Sequence, residues 1–339
     1  MNRTVRVLRG VSRIGKVSLR QLLLVVAMAG ASFSQPVHAD DYPKRLIKVV
    51  VPYPAGGTSD LLMRAIGQKL TESMGQPIVI ENIGGAAGTT GAAAVAKAEP
   101  DGYTLLFGYA TQFAIAPAIS SKLAYDPFTS FTPIGGVVRF HFVMTAFSEM
   151  PFNTLSELVS YAKSKPGELN YASPGIGTTT HMMGELLKLK HGINIVHVPY
   201  RGGGPAINDY IAGRINIYWD AVAPLLPWIE KKTIKPLAVT STQRLPDLPS
   251  VPTVIEAGMP DLNVFTWTAL FAPAGTPKEI VSKLETELNK VLENKDVRAL
   301  FEKNGYEMFP VSPEALNDLI RKDLARWRSV ADAAGIKQN

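Results

Sequence analysis

The 339-residue chain contains no cysteine. Disulfide staples, thiolate metal ligation and a cysteine nucleophile are therefore excluded together. Charge is also sparse, with Asp, Glu, Lys and Arg at 19% against 46% hydrophobic residues. That balance argues against a disordered or coiled-coil chain and for a buried core. No G-x-x-x-x-G-K-[ST] run occurs, so no P-loop is present. The stretch Gly175-Ile176-Gly177 with Thr180 lacks the third glycine of a dinucleotide fingerprint. No His-Glu-x-x-His metal motif exists, and no metal site or cofactor is expected. Ser173 stands in Tyr171-Ala172-Ser173-Pro174-Gly175, which is not a G-x-S-x-G nucleophile elbow. Beyond residue 39 no apolar run is long enough to span a bilayer.

A basic surface is missing too, despite the net charge of +6. Residues 1–39 hold Arg3, Arg6, Arg9, Arg13, Lys16 and Arg20 and no acid. The other 29 basic residues equal the 29 acidic ones, leaving no field for a phosphate backbone. No nucleic-acid partner is expected.

The basic run precedes an apolar core, Leu22 to Ala31, and a small-residue end, Val37-His38-Ala39. This is the pattern of a secretory signal. The core is half of the roughly 20 residues a membrane span needs. The expectation is export to the periplasm with cleavage after Ala39.

The remaining chain alternates strand and helix. Leu46–Val51 reads as a buried strand. A helix capped by Thr58 or Ser59 follows, with Leu62, Ile66 and Leu70 on one face. Further strands are expected at Ile78–Ile80, Thr104–Phe107, Asn194–Val198, Ile215–Trp219 and Lys235–Thr240. Helices are expected at Ala92–Ala98, from a capping box at Thr154–Glu157 to Lys163, at Pro205–Ala212, at Pro224–Lys231, and from Lys278 and Pro313. Such alternation predicts mainly parallel sheets flanked by helices. One echo stands out. Val51-Pro52-Tyr53-Pro54-Ala55-Gly56-Gly57 returns 147 residues later as Val198-Pro199-Tyr200-Arg201-Gly202-Gly203-Gly204. It is either chance or a sign of two similar lobes, each presenting a glycine loop from the carboxyl end of its sheet, where ligands of open α/β sheets bind.

Glycine loops that open helices bring backbone N–H groups close to a ligand, and a helix N-terminus favours negative charge. Gly56-Gly57-Thr58-Ser59, Gly84–Thr90 and Gly175–Thr180 fit that use, or are tight turns. Together they predict an anion held by neutral donors. His181, after three threonines, is a structural residue or a donor. Asp220 ends an apolar strand and either caps the next helix or binds a ligand amine or hydroxyl. Tyr53, Tyr200, Trp219 and Trp267 line a cleft or pack in the core.

Read in order, these segments resemble the Bug-family solute receptors, the periplasmic binding components of tripartite tricarboxylate transporters. The likeness runs through Val50-Val51-Pro52-Tyr53-Pro54-Ala55-Gly56-Gly57-Thr58-Ser59-Asp60, Glu81–Gly88, Pro100–Leu105, Gly177–His181, Val198–Ala206, Pro252-Thr253-Val254, Glu256-Ala257-Gly258 and Ala272–Pro277. Trp219 and Arg201 depart from the usual residues. The resemblance implies a two-lobed α/β binding protein with a ligand cleft between the lobes. Lobe 1 would comprise 41–138 and 267–339, and lobe 2 would comprise 139–266. It implies a monomer that binds a small organic carboxylate, performs no catalysis, and serves the transporter's membrane subunits or a sensor kinase. An exported hydrolase or lyase on the same architecture is the competing reading. The resemblance places ligand contacts at Tyr53, Ala55, Gly56, Gly57, Gly85, Ala110, Thr111, Gln112, Ser173, Thr178, Thr179, Thr180, His181, Tyr200 and Asp220.

Overall fold

The computed structural model describes residues 42–56 and 58–337. The export segment with its cleavage site, and Gly57, lie outside the described residues.

Two sheets organise the chain. Strand β1 (Ile47–Val51) is followed by helix α1 (Thr58–Met74), β2 (Ile78–Asn82), α2 (Thr89–Ala96) and β3 (Thr104–Tyr109). A π-turn at Thr111–Ile115 runs into a short α3 (Ala116–Ile119) and then into the long β4 (Phe131–His141). After Phe142 the chain enters the second sheet as β5 (Val143–Phe147), followed by α4 (Leu155–Ser164), β6 (Asn170–Ser173) and α5 (Thr179–His191). Then come β7 (Val196–Pro199), α6 (Gly203–Ile211), β8 (Ile217–Asp220), α7 (Val222–Glu230) and β9 (Ile234–Val239). Strand β10 (Phe265–Pro273) returns to the first sheet. Helices α8 (Lys278–Glu293) and α9 (Lys295–Glu302), strand β11 (Glu307–Met308) and helix α10 (Pro313–Ala334) complete it.

The first sheet has the order β2-β1-β3-β10-β4-β11 and the second β7-β6-β8-β5-β9. In the first, β1 pairs in parallel with β2 and β3, while β10 is antiparallel to β3 and β4. In the second, β6 is parallel to β7 and β8, while β5 is antiparallel to β8 and β9. Both sheets are thus mixed in pairing. Each carries one reversed strand in its interior, β10 or β5, that enters from the crossover between sheets, and the edge strand β11 of the first sheet is also antiparallel to its neighbour β4. Thr240 fastens the crossover: its N–H reaches Phe142 O at 2.9 Å, and its Oγ1 accepts from Phe142 N at 2.9 Å and donates to Val264 O at 2.6 Å.

Burial follows the patterns that form the elements. Ile47, Val49 and Val51 are buried in β1, and Leu62, Met63, Ile66 and Leu70 form the buried stripe of α1. The expected strands and helices are present, with ends shifted by a few residues. Helix α6 starts at Gly203 because Pro205 fits a first turn, where a missing N–H costs nothing. The Thr154 cap accepts from Glu157 N at 3.1 Å, but the Glu157 carboxylate reaches Asn153 N rather than closing the box on Thr154. Strands β4, β5, β6 and β10 were not read from the residues. Pro133, Gly135 and Gly136 interrupt β4, and its pairing with β10 is bulged at Thr268/Ala269 and Leu270/Phe271. Strand β6 is only four residues long.

Candidate functional site

At the carboxyl end of the first sheet, one side chain gathers two loops and a strand end. Gln112 is fully buried at the π-turn. Its Nε2 donates to Tyr53 Oη (3.1 Å) and to Ala87 O (2.8 Å), and its Oε1 accepts from Tyr109 N (2.8 Å). The β1–α1 loop, the β2–α2 loop and the end of β3 are thereby locked together. Gly88 makes this possible: its φ is +89°, and a β-carbon there would collide with the Gln112 amide. Asn82 Nδ2 adds a bond to Tyr53 O at 3.1 Å. Thr111 lies beside the Tyr53 hydroxyl, and burial raises that hydroxyl's pKa. Ala110 is buried, whereas Ala55 and Gly85 are exposed.

The glycine loop differs from expectation in one respect. Gly56 adopts φ +79°, but its N–H donates to Asp60 Oδ2 at 3.0 Å. The same oxygen accepts from Arg64 Nε at 2.9 Å, and Arg64 holds the Asp60 carboxyl below its ordinary range. The Gly56 donor expected to approach a ligand is therefore engaged inside the loop.

The second sheet's carboxyl end is built on stacked rings. Trp219 stacks on Tyr171 (5.1 Å between centroids), Tyr171 on His197 (4.8 Å), and His197 faces His181 (4.2 Å). Trp219 Nε1 donates to Thr180 O at 2.8 Å, holding the first turn of α5. Thr178 caps that helix by accepting from His181 N, and its hydroxyl also reaches Gly175 O at 2.7 Å and Thr180 Oγ1 at 3.2 Å. Gly177 N donates to His181 Nδ1 at 3.2 Å. That bond leaves Nε2 as the protonated nitrogen of a neutral ring. Thr179 Oγ1 lies 3.4 Å from Thr266 Oγ1 of β10, touching the first sheet's crossing strand. Asp220 accepts from Tyr218 Oη (2.9 Å) and Ala221 N (2.8 Å), and burial raises its pKa. Gly203 opens α6 opposite it, where an added β-carbon would stand 3.8 Å from Asp220 Oδ2.

Ser173 Oγ lies 2.7 Å from His197 Nε2, a distance that invites a nucleophile–base reading. Burial and the neighbouring His181 push His197 down to about 3, and burial pushes His181 down to about 4. No carboxylate bonds to His197, so the ring is too weak a base to activate the hydroxyl at neutral pH. Ser173 instead pins its own loop, through Gly175 N at 3.2 Å and Gly175 O at 3.0 Å.

The echoed loops are not counterparts. Strand β1 is flanked by parallel neighbours on both sides, whereas β7 is an edge strand. By position, β1 corresponds to β6 and β7 to β2. Tyr53 turns inward to Gln112, but Tyr200 bonds Asp209 of the following helix α6 at 2.8 Å, and burial and that carboxylate push it up to about 12. Trp267 is a core residue, donating to Asp323 at 2.7 Å. Tyr109, His197 and Asp60 were missed as parts of these loops. Tyr109 continues the inward alternation of Leu105 and Phe107, which reads as core, and His197 carries no local motif. Among the described residues, no cluster of His, Asp and Glu could hold a metal ion, and no helix is long and apolar enough to cross a membrane.

The tripartite tricarboxylate transporter family receptor profile matches residues 62–336. The chain is similar to protein BugT of Bordetella pertussis, 31% identical over 95% of this chain and 99% of that protein. Among solved structures it is similar to the periplasmic binding protein BugD (34% identity, TM-score 0.80, covering 88% of this chain and 100% of that one). It is similar to a Rhodopseudomonas palustris protein with adipate (36%, 0.82, 88% and 99%). It is also similar to MatC from Rhodopseudomonas palustris with bound malate (35%, 0.79, 85% and 99%). The fold is that of a two-lobed periplasmic binding protein, and the chain belongs to the tripartite tricarboxylate transporter family of receptors.

Proposed function

We propose that this chain binds a small organic carboxylate outside the cytoplasm and delivers it to the membrane subunits of a tripartite tricarboxylate transporter. The observation that carries the reading is the pairing of two carboxyl-end loop sets rich in hydroxyl and backbone donors, in a chain whose relatives hold adipate and malate. In this reading lobe 1 is 41–138 with 267–339, lobe 2 is 139–266, and the acid lies between them. Tyr53, Ala55, Gly56, Gly57, Gly85 and Ala110–Gln112 contribute one wall. Ser173, Thr178–His181 and Asp220 form the other, and Tyr200 buttresses its edge. The receptor works as a monomer and leaves its ligand chemically unchanged, because in the Ser173–His197 pair the ring is too weak a base. Export follows from the basic and apolar run of residues 1–39, with cleavage after Ala39.

A thermal-shift screen of the mature protein against mono-, di- and tricarboxylates tests this. Binding to the native state raises the melting temperature. At least one acid should shift it in a saturable way. A protein unmoved by every acid, or one that consumes the acid, contradicts the proposal.

A further inference from the structure

Tyr109 ends β3 at the corner where the first sheet's loops converge. It is only 6% exposed, and its hydroxyl is buried without a hydrogen-bond partner. Its position is fixed rather than loose. The backbone N–H is held by Gln112 Oε1, and the ring packs edge-to-face on Tyr53 (5.2 Å) and Phe107 (5.5 Å). Ser59, in the first turn of α1, stands near enough to hold the phenol's pKa down but outside hydrogen-bond geometry, and Tyr306 is close enough to raise it. This corner also borders the second sheet's half. Gly305, next to Tyr306, faces Val222 of α7, and an added β-carbon there would stand 3.6 Å from Val222 Cβ.

An oriented, desolvated donor with no partner is costly, and buried polar groups in native proteins are almost always satisfied. Here the missing partner would be an acceptor at the mouth of the β1–α1 loop, between the two halves. We propose that the Tyr109 hydroxyl is a ligand-binding donor that takes an acceptor oxygen of the bound acid and helps set which acids this chain accepts. The inference rests on the carboxylate reading above and adds a specificity-determining residue to it. Burial raises the phenol's pKa well above its ordinary value, so it stays a donor at every working pH. A site that spends a buried donor on one ligand oxygen rejects acids that cannot place an oxygen there.

Calorimetry of the mature protein with malate, adipate, succinate and citrate comes first, followed by the same titrations on Tyr109→Phe. The substitution keeps the ring and removes only the unpaired hydroxyl. The tightest acid should bind at least tenfold more weakly, losses should differ between acids, and the ligand-free melting temperature should hold or rise. Affinities within twofold of wild type, or a uniform loss with a lowered melting temperature, overturn the assignment and leave the carboxylate reading standing. Wild-type protein that binds none of the acids overturns both. As a second readout, wild type labelled with 13Cζ-tyrosine should show the resonance absent from Tyr109→Phe moving on saturation. A resonance that stays fixed while the acid binds contradicts the proposal.

Discussion

The two walls share a strand order but are held together by different physics. The first wall hangs on a glutamine whose amide bonds two loops and the end of β3 at once. The second rests on a row of four rings, with neutral histidines and a half-buried carboxylate at its edge. The first is therefore a single node that fails as a unit. The second distributes its support and carries the titrating groups.

The largest expected effect breaks the first wall. Gly88→Ala adds a β-carbon against the Gln112 amide at a left-handed backbone position. We expect a loss of about 2–4 kcal/mol in stability, from overpacking and strain together, and weaker binding of every acid. Denaturant unfolding and calorimetry read both. Wild-type stability would show that the Gln112 node is not what organises these loops.

Acid separates the walls next. His181 and His197 are depressed in the folded protein, to about 4 and about 3. The unfolded chain therefore takes up their protons first, and stability falls as pH drops from about 6.5 towards 4. Asp60, held below its ordinary range by Arg64, contributes stability that survives until lower pH. Melting temperatures between pH 7 and 4 should decline, and His197→Gln should decline less. Identical pH profiles would remove the histidines from the account.

Asp220→Asn is a smaller and sharper change. It keeps the shape but sets an amide against the Tyr218 and Ala221 donors. The order of preference among related acids should change, most for those bearing an amine or hydroxyl. Equal scaling of all affinities would make Asp220 a helix cap only.

The smallest effect concerns the echo. Tyr200→Phe removes a bond to Asp209 of the following helix α6. A small loss of stability is expected for such an exposed pair, with selectivity unchanged in the same affinity panel. A tenfold change in affinity would restore Tyr200 to the ligand face.

These contrasts mark how far the residues alone could be read. Regular elements with strong periodicity, such as α1 with Leu62, Ile66 and Leu70, were legible because burial repeats at the helical spacing. The crossing strands were not. Pro133, Gly135 and Gly136 in β4 look like turn residues, and their strand state is imposed by pairing with distant β10. The glycine loops were legible as loops, yet their wiring was not. That Gln112 meets Tyr53, or Ser173 meets His197, depends on contacts 59 and 24 residues apart. The Val-Pro-Tyr echo misled for a related reason: local chemistry repeated, while strand position did not.

The most direct test is a crystal structure of the mature protein with its tightest-binding acid. The account predicts one molecule between the two sheets' carboxyl ends, with one carboxylate oxygen in hydrogen-bond reach of Tyr109 and its far end within reach of His181 or Asp220. An acid bound elsewhere, or touching the loops of one sheet alone, would contradict it.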